Sequence, residues 1–152
     1  MSRALGADIV IDASKEDPVK AIDDRLRGAG VDVVFDAASG RPEEGLSGAA
    51  TFYQAADIVS GSGKIVQTGQ PSEPLDLDPQ LFRRKCIRYI FPAFGSATAM
   101  SRVALLLATK RIQVTPTITH TLSGLEKMDE AWEITANKAT YKAINPAQVV
   151  VD

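Results

Sequence analysis

Apolar positions along the chain alternate between two spacings. Short β-branched or aromatic stretches occur at residues 8–12 (DIVID), Val31–Asp36 (VDVVFD), 64–68 (KIVQT) and 87–91 (IRYIF), the first three as near-continuous apolar runs. Runs of this kind predict strands covered on both faces, as in parallel sheets. Between them the spacing turns helical. Val19, Ile22 and Leu26 form one stripe, and Leu46, Ala49, Ala50, Tyr53 and Ala56 a second, each suited to lie on a sheet. Asp17 is placed to cap the first helix, with Pro18 in its first turn and Gly28 or Gly30 to stop it. A third helix is expected over residues 97–110, packing Met100, Val103, Ala104 and Leu107 on the sheet and ending on Lys110 and Arg111. The fourth opens at Ser123-Gly124-Leu125-Glu126, a capping-box spacing, and would turn Leu125, Met128 and Trp132 inward. Residues 147–151 read as a last short strand with no obvious partner in the chain.

Strand and helix in alternation define an α/β fold built from crossover units, a doubly wound parallel sheet. Ligands of such sheets sit at the carboxyl ends of the strands. Asp36-Ala37-Ala38-Ser39-Gly40, Thr68-Gly69-Gln70-Pro71 and Phe91-Pro92-Ala93-Phe94-Gly95-Ser96 follow strands there, and all three are rich in small residues. Small side chains let backbone N–H and C=O groups approach a flat ligand, although tight turns also favour them.

Composition narrows the function classes. With 152 residues, 45% of them hydrophobic and 24% charged, one globular domain with a real core is expected. A net charge of −2 offers no footing for nucleic acid or an anionic membrane. One cysteine cannot form an internal disulfide, no apolar run reaches the ~20 residues of a membrane span, and the first residues lack a signal-peptide pattern. The cytoplasm is the expected compartment.

Leu5-Gly6-Ala7-Asp8 leading into the first strand, Gly30-Val31-Asp32-Val33-Val34-Phe35-Asp36, Gly63-Lys64-Ile65-Val66 with Gly69, and Ile118-Thr119-His120 before Leu125 and Glu130-Ala131 carry a family likeness. The chain resembles medium-chain, zinc-type alcohol dehydrogenases, and within them the sorbitol and threonine dehydrogenase branch. The resemblance implies the C-terminal part of an NAD(P)-binding domain: a partial Rossmann sheet lacking the first two strands and the glycine-rich loop. Residues 1–145 would form this partial domain, and residues 146–152 a return strand toward a catalytic domain. It further implies that Ala37, Ala38 and Ser39 line the coenzyme beyond its adenine half. Thr68, Gly69 and Gln70 would lie by the nicotinamide, and the backbone around Ala93 and Phe94 by its carboxamide. Pro92 stands where members usually have glycine, removing a donor beside that contact. The implied activity is hydride transfer between a secondary alcohol or polyol and NAD or NADP, with a homo-oligomer formed through a sheet edge.

Two parts of that machinery have no counterpart in the sequence. Gly28-Ala29-Gly30 precedes a strand and lacks the third glycine of a pyrophosphate loop, while in Gly61-Ser62-Gly63-Lys64 the lysine is followed by Ile65 instead of Ser or Thr. A catalytic zinc, which the parent family carries, needs about three protein ligands. Cys86 and His120 are the chain's sole cysteine and histidine. Cys86 reads as a buried residue at the start of a strand and His120 as structural, so no catalytic or metal-binding residue is assigned. Arg83, Arg84, Lys85 and Arg88 read as a solvated helix end, and Trp132 as core. The expected function is therefore that of a dehydrogenase fragment inactive alone, with a non-catalytic nucleotide-binding remnant or accessory chain as the alternative. In the complete strand order 3-2-1-4-5-6 the middle of the sheet would be missing, so the 8–12 strand would either move beside Val31–Asp36 or face a gap. The isolated chain is expected to be marginal or aggregation-prone; a cooperative thermal transition from a soluble monomer would contradict this.

Overall fold

The computed structural model describes residues 2–92 and 95–151 and divides the chain into two compact units between residues 94 and 95. In the first unit, helix α1 (Pro18–Leu26) leads to strand β1 (Val31–Asp36), α2 (Ala50–Ile58), β2 (Val59–Gln67), α3 (Pro79–Lys85) and β3 (Arg88–Ile90). The three strands form one parallel sheet in the order β1-β2-β3. Its register sets Phe35 opposite Val66 and Asp36 opposite Gln67, and Val66 opposite Ile90. Sequence and spatial order coincide, as they do for adjacent strands joined by α2 and α3.

Helix ends follow local chemistry. The Asp17 carboxylate accepts from the N–H groups of Val19 (2.8 Å) and Lys20 (3.2 Å), with Pro18 inside the first turn where its missing donor is harmless. The helix stops as Arg27 and then Gly28 turn left-handed. Gly30 has a φ of +70°, and a Cβ there would lie 2.9 Å from the Ile58 carbonyl oxygen, so glycine is required where β1 begins beside the end of α2. Asp78 caps α3 by accepting from the Gln80 N–H at 2.8 Å.

One face of the sheet holds the core. Ala55, Ala56, Val59 and Ile65 are buried, with Val34, Leu81, Phe82, Ile87 and Tyr89 packed against them. Phe52 lies among Tyr53, Phe82 and Tyr89, ring centroids 5.2–6.3 Å away. Covering of both faces, expected from the apolar runs, is not found: Phe35 is 69% exposed and Val33 41%. Continuous apolar runs report strand propensity without counting how many faces have partners.

Residues 8–12 do not form a strand. They remain outside the sheet with Ile9 and Val10 exposed, ending in a turn where Asp12 accepts from the Ser14 N–H and hydroxyl and pairs with Lys15 at 2.7 Å. Of the two expected outcomes, the segment takes neither a place beside β1 nor a buried gap. Its backbone stays hydrated, which avoids the cost of buried unpaired groups.

The second unit contains α4 (Ala97–Ala108), β4 (Thr121–Ser123), α5 (Met128–Ala136), α6 (Lys138–Tyr141) and β5 (Gln148–Val150). Ser96 caps α4 by accepting from the Ala99 N–H at 3.2 Å, but no residue of α4 is buried, so its apolar stripe does not act as a core face. The last strand has a partner after all: β5 pairs in parallel with β4, extended by the Gly124 N–H donating to the Val150 carbonyl. Ser123 belongs to β4, and the expected capping box does not form; a 3₁₀ turn at Leu125–Lys127 precedes α5 instead. In α5, Ala131 and Ile134 are buried, whereas Trp132 is 75% exposed and Leu125 and Met128 are exposed too. The inward face is therefore rotated from the one the large residues suggested. Trp132→Ala is expected to change the unfolding free energy by about 0.5 kcal/mol or less, whereas Ile65→Ala should cost about 2–5 kcal/mol; denaturant titration of both variants checks the contrast.

Candidate functional site

The carboxyl ends of β1 and β2 are joined by a buried polar cluster. Asp36, the last residue of β1, is 4% exposed, Ser39 is 2% and Gln67 3%, so their polar atoms depend mainly on protein partners. One carboxylate oxygen of Asp36 accepts from the N–H groups of Ala38 and Ser39, both at 3.1 Å, and from the Thr51 hydroxyl of α2 at 3.0 Å. Its other oxygen accepts from the Ser39 hydroxyl and from the Gln67 side-chain amide, the latter at 3.2 Å. That amide also donates to the Gly69 carbonyl at 3.0 Å, and the Tyr89 hydroxyl of β3 donates to the Gln67 side-chain oxygen at 3.1 Å. The cluster thus crosses all three strands.

The main chain of Asp36 closes the second loop. Its carbonyl accepts from the N–H groups of Thr68 and Gly69, both at 2.8 Å, and from the Thr68 hydroxyl at 2.9 Å. Gly69 sits so close to the 37–39 turn that a Cβ would lie 2.9 Å from the Ser39 carbonyl oxygen and 3.1 Å from its nitrogen. Only glycine allows that approach.

Ionisation fits the same geometry. Burial alone would push the Asp36 carboxyl up, but the donors from Ser39, Ala38 and Thr51 outweigh it and hold the group below its ordinary 3.8. Tyr89 is shifted the other way, pushed up by its burial and by the negative charge of Asp36.

Two larger clefts border the loops, beside a small one of about 190 Å³ lined in part by Asp36, Ala37, Ala38 and Thr51. One of about 490 Å³ is lined by Ser39, Gly40, Arg41, Leu46, Gln70 and Pro71, and one of about 540 Å³ by Gln67, Thr68, Gly69, Gln70, Phe91 and Pro92. The expected site residues Ala37, Ala38, Ser39, Thr68, Gly69 and Gln70 therefore lie in two adjacent loops on one sheet edge. Ser39 spends both its hydroxyl and its N–H on Asp36. Ala93 and Phe94 lie outside the described residues. A third cleft, of about 500 Å³, lies by the amino ends of β1 and β2 and includes Lys85. The Lys85 ammonium is already committed, donating to the carbonyls of Ala56, Asp57 and Val59 at 2.8–3.1 Å. It neutralises the carbonyl end of α2 instead of awaiting a ligand.

Among the described residues no group of three or more His, Cys, Asp or Glu is placed to hold a metal ion. These side chains do not fit a zinc centre, and no chemical step is assigned to one. Cys86 is exposed, not buried as expected: it takes a left-handed conformation (φ 52°) as the residue ending α3, which turns its side chain out of the core. His120 contacts the Thr119 hydroxyl at 3.0 Å, and its carbonyl accepts from the Gln148 N–H at 3.0 Å beside the β4–β5 pair.

Asp36, Thr51 and Tyr89 were not picked out as members of the site in sequence. The signal available was local: an acidic residue closing a strand with serine three positions later, a spacing at which a carboxylate can accept from the turn it begins.

Comparison with known proteins places this geometry in a lineage. Residues 5–141 match the family model described as zinc-binding dehydrogenase. The chain belongs to that family. It is 26% identical over 149 residues to an L-threonine 3-dehydrogenase of Thermococcus kodakarensis, a match covering 95% of this chain and 39% of the relative. An alcohol dehydrogenase from Thermus sp. ATN1 superposes with a TM-score of 0.76 at 25% identity, covering 99% of this chain and 41% of that one. A zinc-binding dehydrogenase from Sinorhizobium meliloti whose structure is bound to NADP gives a TM-score of 0.74 at 25% identity, covering 99% and 40%. The chain thus spans about two fifths of the length of these relatives. No helix among the described residues is long and apolar enough to cross a membrane.

The depressed ionisation of Asp36 has a stability consequence. Its stabilising contribution is present above the unfolded value of 3.8 and is lost as pH falls through the lower folded value. The chain's resistance to denaturant should fall across that acid window, and Asp36→Asn should flatten this part of the profile.

Proposed function

We infer that the chain supplies one rim of the coenzyme cleft of a zinc-type, NAD(P)-dependent alcohol or polyol dehydrogenase. The observation that carries the reading is the locking together of the 37–39 and 68–70 loops through Asp36 at the carboxyl edge of a parallel sheet, the place where such sheets hold nucleotides. The loops carrying Ala37, Ala38, Ser39, Thr68, Gly69 and Gln70 would line the nicotinamide half of NAD or NADP, with Ala93 and Phe94 at its carboxamide. Family membership supports this reading, as does the relative bound to NADP. The coenzyme accepts or returns a hydride. This chain's part is to orient the ring and exclude water along one side.

The parent reaction on this reading is hydride exchange with a secondary alcohol. By itself the chain would be inactive, because its described residues include no metal-holding group. That same observation favours, for the chain alone, a non-catalytic nucleotide-binding accessory. The strands β1 and β3 end the sheet and are each paired on one side among the described residues, which supports a homo-oligomer formed through a sheet edge. A cytoplasmic location accords with the single cysteine.

An NADH titration tests the reading. Millimolar affinity is expected, with backbone amide shifts concentrated at residues 37–39 and 68–70. Shifts elsewhere only, or none, would remove the coenzyme from this edge, and sub-millimolar affinity would show that these loops suffice without a pyrophosphate loop.

A further inference from the structure

We propose that Asp36 is the positioning residue of this rim: its buried carboxylate holds the 37–39 turn, and its main chain holds the 68–69 loop, at a fixed spacing. The proposal rests on the coenzyme reading for its consequence in binding. Its geometric content stands on the chain alone.

Five donors reach the two carboxylate oxygens, two of them from the turn's own backbone. Thr51 ties the same group to α2 and Gln67 ties it to β2, so the turn cannot move without breaking bonds to two other elements. Gln67 in turn holds the Gly69 carbonyl and receives the Tyr89 hydroxyl. Asp36 is too buried to meet a ligand itself. Its influence passes through the loops.

Charge and shape both matter at this position. A carboxylate offers only acceptors, which matches five converging donors. Asparagine has the same outline but would set an amide N–H₂ against either the Ser39 hydroxyl and Gln67 amide or the turn's N–H groups. One oxygen's worth of partners is lost whichever way it is oriented. With Asp36 only 4% exposed, little water can replace them.

Hydrogen exchange of the chain carrying Asp36→Asn tests the proposal. The Ala38 and Ser39 amides are expected to exchange about tenfold faster or more, while β2 amides paired with β3 keep their protection. The shift that millimolar NADH induces at the Gly69 amide should fall about threefold or more. Ile65→Val, which weakens the core away from the rim, should leave that shift within about twofold of the unmutated chain; a merely structural Asp36 would make the NADH response follow stability in both variants. Unchanged exchange at Ala38 and Ser39 would overturn the proposal. Should the unmutated chain ignore NADH while exchange in D36N accelerates, the coenzyme reading falls and the positioning role stands. If D36N does not fold, Ser39→Ala decides in its place, because it deletes one donor and leaves both N–H groups: faster exchange at Ala38 supports the proposal, and unchanged exchange overturns it.

Discussion

A carboxylate that stays ionised when buried needs donors on both oxygens, and the end of β1 meets that requirement by drawing the neighbouring loops around Asp36. Its two oxygens collect donors from the 37–39 turn, α2 and β2, and its carbonyl collects the loop after β2. The result is a rigid polar seam along the carboxyl edge of an otherwise apolar layer. Core packing beneath it, from Phe52, Val59 and Ile65, fixes the strands but says nothing about loop spacing. The seam does that. Gly69, pressed against the Ser39 backbone, shows how little slack is left.

This seam links fold to function within the limits of the chain. A parallel sheet needs crossovers, and crossovers bring successive loops to one edge, the edge at which ligands of such sheets sit. Membership of the zinc-binding dehydrogenase family gives the ligand class its context. No group of three or more His, Cys, Asp or Glu among the described residues is placed to hold a metal ion.

Features whose causes are local in sequence were legible there. Asp17 with Pro18 announces a helix start because a cap needs only its own next few N–H groups. Val31–Asp36 is a strand as its β-branched composition suggests. The loops following β1 and β2 could likewise be marked from strand order and small residues. Features that depend on a partner were not legible. An apolar stripe at Leu125, Met128 and Trp132 has the spacing of a core face, yet whether anything covers it is decided elsewhere, and all three are exposed. Residues 8–12 have strand composition without a neighbouring strand to pair with. Asp36 was visible as the end of a strand, but its role depends on Gln67 being 31 positions away in sequence and directly opposite in register.

The carboxyl carbon of Asp36, followed by NMR as pH is lowered, measures the central interaction without a variant or a ligand. An ionised group held by turn, helix and strand titrates with a midpoint below 3.8, the direction its donors impose. A midpoint at or above 3.8 would mean that burial outweighs those donors, and that the loops are not held by charge at Asp36.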